Sequence, residues 1–138
     1  MEAFARLYAE LDASTSMHAK VAALDAYLRA AEAADAAWAI YFLAGGRPRQ
    51  LVPARVLRDV AVTAAGLPQW LFDECYDAVG DFAETVALVL PPPLRMSSAG
   101  LADWMIGRVL PLRGLAPETI GERLRGYLDE LDASGRFL

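Results

Sequence analysis

The residues with the most chemical potential lie between Gly45 and Arg58. Arg47, Arg49, Arg55 and Arg58 crowd into this short stretch, and no acid interrupts them before Asp59. Arg47 and Arg49 belong to Gly-Gly-Arg-Pro-Arg, a run that glycine and proline keep out of helix. Arg55 and Arg58 follow Pro53, a residue suited to the first turn of a helix. A cation at the positive end of a helix dipole is placed at some electrostatic cost, and an anion offsets it. Helix-start N–H groups together with guanidinium groups are the parts of a phosphate site. A loop-borne arginine such as Arg47 can also enter a DNA minor groove. The competing reading is a solvated arginine-rich surface, and the residues alone leave both open.

Other chemistry is sparse. The chain contains no phosphate-loop motif, no dinucleotide fingerprint and no nucleophile elbow. His18 has no second histidine at metal spacing and reads as an exposed polar residue. Cys75 falls on an apolar helical stripe, which predicts a buried thiol. Asp73, Glu74, Asp77, Asp81 and Glu84 share one face only if a helix runs through Gly80. They are therefore read as a solvated charged face. No metal site and no catalytic set is expected.

Composition sets the frame. The chain has 138 residues, 56% of them hydrophobic, and 27 are alanine. The charge balance is 13 Lys+Arg against 18 Asp+Glu, a net charge of -5 and an isoelectric point near 4.8. This is neither a disordered composition nor, with one cysteine, a disulfide scaffold. A strongly basic nucleic-acid binder has an isoelectric point above about 9, so any nucleic-acid role has to come from a local patch. No apolar run approaches the ~20 residues of a membrane span, and the first residues lack a basic leader. A soluble, cytoplasmic protein without a membrane partner is expected, and a monomer.

The elements that must position the arginines are helices. Phe4, Leu7, Tyr8 and Leu11 repeat at helical spacing. Ser14, Thr15 or Ser16 caps a second helix bearing Met17, Val21, Leu24, Leu28 and Ala31. Asp35 caps a third, through Trp38, Ile40, Tyr41, Phe42 and Leu43. That helix is apolar nearly all round and is expected at the centre of the fold. Gly45-Gly46 ends it. Further helices carry Val56, Leu57, Val60 and Ala64, then Leu71, Phe72, Cys75 and Val79, then Phe82, Val86 and Val89. Gly80-Asp81 is a stop followed by a cap. Pro91-Pro92-Pro93 is a stiff break. Beyond it, Ser97 or Ser98 caps a helix with Leu101, Trp104, Met105 and Val109. Pro117 opens the last, and Ser134-Gly135 stops it. The expected fold is all-α, a single compact multi-helix domain of about eight helices. It is divided into a helical subdomain over 1–90, a Pro-rich connector over 91–96 and a second helical subdomain over 97–138. The restart at Arg136-Phe137-Leu138 points to a piece of a longer protein, with a short docking tail as the alternative.

Four motifs, in order, carry a resemblance. They are Phe4-Ala5-Arg6-Leu7-Tyr8 with Ser14-Thr15-Ser16 and Lys20; Phe42-Leu43-Ala44-Gly45-Gly46-Arg47-Pro48-Arg49; Val56-Leu57-Arg58-Asp59; and Gly80-Asp81-Phe82-Ala83-Glu84. From Phe4 to Leu90 the chain resembles the N-terminal DNA-binding domain of ATP-dependent DNA ligases, in their bacterial form. It departs from the pattern at Gln50-Leu51-Val52-Pro53, where many relatives place a glycine.

The resemblance implies a non-catalytic all-α domain that grips nicked duplex DNA by its backbone and minor groove, supporting nick sealing in repair, replication or recombination. It implies Arg47 and Arg49, with Arg55 and Arg58, as DNA contacts, and Ser14, Thr15, Ser16 and Lys20 as phosphate ligands. Backbone N–H groups at Gly80 and Asp81 are candidates for another phosphate, with a simple stop-and-cap turn as the equal alternative. The partners implied are nicked double-stranded DNA and the catalytic domains of the same ligase. ATP and Mg²⁺ are implied for the parent ligase and no cofactor for this stretch. A helical protein-interaction adaptor is the alternative function, suggested by the acidic charge and the apolar third helix. The sequence has no Lys-x-Asp-Gly adenylation motif, and Lys20 is followed by Val21-Ala22-Ala23. Labelled ATP is therefore expected to leave no covalent label on this chain, and a labelled band on a denaturing gel would overturn that reading.

Overall fold

A computed structural model describes residues 1–49 and 51–138; Gln50, where the sequence departs from the ligase pattern, lies outside the described residues. Among the described residues there are nine α-helices and no strand. They are α1 (Glu2–Ala13), α2 (Met17–Ala30), α3 (Ala33–Leu43), α4 (Ala54–Ala65), α5 (Gln69–Val79), α6 (Phe82–Val89), α7 (Leu101–Trp104), α8 (Pro117–Leu128) and α9 (Ala133–Phe137). A π-helical turn over Met105–Val109 and a 3-10 turn over Leu110–Leu112 continue α7. The all-α expectation holds.

The chain forms two compact units, and neither follows the division at the prolines. The first joins Met1–Arg49 to Ser98–Pro111; the second joins Gln50–Ser97 to Leu112–Leu138. The physical reason is that the apolar residues after the prolines are shared between two cores. In the first unit, Leu101 and Met105 bury against Phe4, Leu7 and Ala39. In the second, Leu128 joins Val60, Ala61, Phe72, Val86 and Leu90. The Pro-rich segment is also not a free spacer. Arg95 and Ser97 donate their backbone N–H groups to the carbonyls of Asp129 and Glu130, and Arg95 pairs with Glu130 at 2.6 Å.

Several caps differ from expectation. Asp35 lies in the first turn of α3, whose N-cap is Glu32 with no side-chain cap bond. The Asp35 carboxylate instead accepts the N–H of Ala102 at 2.8 Å, capping α7 across 67 residues of sequence. Neither Ser97 nor Ser98 caps that helix; its N-cap is Gly100, whose missing side chain leaves room for the same carboxylate, since a Cβ there would stand 2.5 Å from it. The carboxylate of Asp35 also adds to the effect of burial in raising the pKa of Tyr27. At the chain end, Ser134 and Gly135 do not stop a helix. They lie inside α9, where Asp132 accepts the N–H of Gly135. Gly135 is buried, and a Cβ there would come within 3.0 Å of Leu131. Arg136 then donates to the carbonyls of Leu128 and Pro91, tying α8 and the prolines to α9.

The α3 helix is not the centre of its unit. Ala39 is its only residue in the buried class, whereas Ile40 is 52% and Tyr41 41% exposed. Uniform apolarity thus marks a helix with one face packed and another open, not full burial. On α2 the predicted stripe also splits. Leu24 packs into the core, and Met17 remains 72% exposed.

Asp35→Ala removes a cap acceptor and leaves the start of α7 without a side-chain partner. Loss of such a cap costs about 1 kcal/mol. The urea midpoint is expected to fall accordingly, with Asp35→Asn recovering part of the loss.

Candidate nucleic-acid interface

Six of the ten sequence-predicted contact residues fall in the first unit. At the start of α2, Ser16 is the N-cap, and its Oγ accepts the N–H of Ala19 at 3.4 Å. Ser14 Oγ accepts the N–H of Ser16 at 3.2 Å. These two hydroxyls therefore do local turn work, while Thr15 is exposed. Lys20 lies one turn into α2 and gives its N–H to the Ser16 carbonyl.

The arginine segment follows α3. Gly45 takes φ +86°, a left-handed conformation that glycine adopts without strain, and turns the chain out of the helix. Gly46 donates its N–H to the carbonyl of Tyr41 at 2.8 Å. Arg47–Arg49 then run without helix or strand, and Pro48 biases the residue before it toward extended backbone. Both arginines are exposed, and among the described residues neither forms an ion pair.

The other four candidates lie in the second unit. No side chain caps the first turn of α4, which carries Arg55. Arg58 is already engaged, with its guanidinium 3.6 Å from the Asp73 carboxylate. Arg55 lines a groove of about 330 Å³ between α4 and α8, floored by Val56, Val60 and Gly121. Asp59, Glu118 and Glu122 outnumber Arg55 and Arg125 around it, so the groove itself is not anion-selective. At the turn before α6, Gly80 has φ +80° and gives its N–H to the Tyr76 carbonyl at 2.8 Å. That N–H is therefore not free for a phosphate. Asp81 accepts the Glu84 N–H at 2.8 Å, placing a carboxylate where an anion would sit. The geometry favours the stop-and-cap turn over the cradle.

The charge distribution sharpens the contrast. From Asp59 to Leu94 there is no lysine, arginine or histidine, and six carboxylates stand unopposed in sequence. Asp73, Glu74 and Asp77 share one stripe of α5 with Trp70, which is 66% exposed. Among the described residues no group of His, Cys, Asp or Glu is arranged to hold a metal ion. Cys75 is half-buried rather than buried, and His18 is exposed on α2. No described helix is long and apolar enough to cross a membrane.

Tyr41, expected with the rest of α3 at the centre of the fold, is misplaced by the sequence reading. It lies half in solvent beside Gly46. The signal available is its position five residues before the second glycine of the helix stop.

The Gly80-Asp81 turn makes a direct prediction. Gly80→Ala forces a left-handed alanine, and Asp81→Ala removes an N-cap. Each is expected to cost about 1 kcal/mol, read as a lower thermal midpoint.

The family model described as DNA ligase N terminus matches residues 1–101. No curated protein and no solved structure matches the chain. The matched stretch takes in about three quarters of the sequence and includes the cap of α2, the arginine segment and the Gly80-Asp81 turn. The chain belongs to the family of N-terminal domains of ATP-dependent DNA ligases.

Proposed function

We propose that this domain grips nicked duplex DNA through the sugar–phosphate backbone and minor groove, and that Arg47 and Arg49 are its principal contacts. One observation carries the reading: both guanidinium groups are exposed, unpaired among the described residues, and borne on a segment outside any helix. A structural arginine normally meets a carboxylate, as Arg58 does with Asp73. Lys20, Thr15, Ser14 and Ser16 are secondary phosphate contacts in the same unit. Arg58, Gly80 and Asp81 contribute less, because their partners are already in place, and Arg55 contributes less because carboxylates outnumber cations around its groove.

The domain is non-catalytic, and it works as a monomer in the cytoplasm, in repair, replication or recombination. The catalytic domains of the same ligase supply the ATP- and Mg²⁺-dependent sealing. Phosphate contacts make binding salt-dependent and nearly independent of sequence. With a net charge of -5 on the chain, the isolated domain binds weakly. Charges beyond about 8 Å are largely screened at physiological salt, so the local patch decides contact. Tethering to other DNA-binding domains raises the effective concentration.

The adaptor reading has one observation in its favour, the exposed Met17 and Val21 of α2. A partner that shields the arginine segment, with no shift of DNA mobility at low salt, would select it.

Replacing Arg47 and Arg49 together with Ala is expected to weaken binding to a nicked duplex by about 10- to 100-fold at low salt. The helical circular dichroism should be unchanged. The slope of log affinity against log salt should fall by about 0.9 for each phosphate that is no longer neutralised. Unchanged affinity in fluorescence anisotropy at low salt would refute the proposal.

A further inference from the structure

The chain gives the arginine segment a mount. Gly46 not only donates to the Tyr41 carbonyl; its Cα also sits directly on the Tyr41 side chain. A Cβ at residue 46 would stand 2.6 Å from both Cδ2 and Cε2 of the ring and would run into the Tyr41 carbonyl oxygen. Contacts that short do not occur between real atoms, so residue 46 must be glycine for the backbone to lie there. Gly45 differs: a Cβ there meets nothing within 4 Å, and its requirement is conformational only.

The ring is itself held. Trp38 meets Tyr41 edge-on at 5.6 Å between centroids, with an interplanar angle of 86°. Phe42 meets it at 5.4 Å and 67°. Phe42 in turn packs on Phe4, a buried core residue. The series runs from the core through Phe42 to Tyr41, and from Tyr41 to the backbone of Gly46. Beyond Gly46, Pro48 fixes its own φ and restricts the backbone of Arg47. Proline thus removes one backbone torsion between the ring and Arg49 and narrows the range of Arg47. Yet Tyr41 is 41% exposed, so its ring is not placed to fill the core.

We infer that Tyr41 is a positioning residue for DNA binding: its ring is the seat on which Gly46 rests, and it fixes where Arg47 and Arg49 leave the domain. The role rests on the DNA-binding reading above. A seat of this kind reduces the ordering that two long side chains and a loop undergo on contact, which is how preorganisation raises affinity. The ring carries the role and the hydroxyl does not.

The test compares Tyr41→Ala, Gly46→Ala and Tyr41→Phe with the Arg47/Arg49 double alanine variant, all in the full chain and all against a nicked DNA duplex. Anisotropy is measured over a salt series, and circular dichroism checks folding. Tyr41→Ala is expected to lose about tenfold in affinity and to flatten the salt slope by ~1 to 2, since each neutralised phosphate contributes about 0.9. Gly46→Ala should do the same with the ring still present. Tyr41→Phe should retain both affinity and slope. A merely structural role would lower the thermal midpoint and leave the salt slope of the folded fraction unchanged. Should Tyr41→Ala fail to fold, Gly46→Ala and Tyr41→Phe decide the matter alone.

Three outcomes overturn the proposal. One is a wild-type slope in Gly46→Ala and Tyr41→Ala while the double arginine variant is flattened, which leaves the DNA reading standing. Another is a loss in Tyr41→Phe as large as in Tyr41→Ala, which would assign the role to the hydroxyl. The last is unchanged affinity in the arginine variant, which removes the DNA reading and this role with it.

Discussion

Residue 46 cannot carry a side chain, and the exit path of the arginine segment follows from that constraint. The helix before it ends on a ring that the core holds from behind. The chain after it leaves across that ring, close enough that even a methyl group would collide. Two guanidinium groups follow within three residues, on backbone that proline stiffens. Their freedom from ion pairs is a consequence of the exit path as much as of composition. Arg58, by contrast, sits on a regular helix beside α5 and finds Asp73. Arg47 and Arg49 stay available on the segment without helix and Arg58 does not, while Arg55 at the start of the same helix as Arg58 is exposed and forms no ion pair among the described residues.

The two cores impose a second constraint, on assembly. Each draws on distant stretches of sequence: Phe4 and Leu7 wait for Leu101 and Met105, and Phe72 and Val86 wait for Leu128. Neither unit is complete until residues beyond the prolines have returned to it. The Asp35 cap on α7 belongs to the same logic, since with the bond from the Met1 ammonium to the Ala99 carbonyl it joins the two stretches of the first unit. Long-range closure of this kind slows folding relative to a bundle of local helices.

Legibility in the sequence tracks the range of the interaction. Helix starts and stops decided by neighbours are readable: the Ser16 and Asp81 caps, the left-handed turns at Gly45 and Gly80, and Pro117 at the first turn of α8. The arginine segment is visible for the same reason, because Gly-Gly and Pro exclude helix locally. What depends on partners far along the chain is not. Nothing near Asp35 indicates that it serves Ala102. Gly135 is the exception: its partner Asp132 lies only three residues before it, a local N-cap of the kind readable at Ser16 and Asp81, and the Ser-Gly pair masks it. The placement of α3 escapes the sequence because periodicity says which residues are apolar, not which of them a neighbour will cover. The division at the prolines fails likewise, since a stiff segment can be tied down as Arg95, Ser97 and Arg136 tie this one.

The cation-free run from Asp59 to Leu94 has a bearing on how a polyanion can explore this surface. A nucleic-acid strand drifting onto α5 meets Asp73, Glu74 and Asp77 in succession, with Arg58 already spoken for. Like charge at that range is felt despite salt. On the DNA-binding reading proposed above, such a strand is repelled from this face of α5. On that reading, where attraction is withheld guides placement alongside where it is supplied.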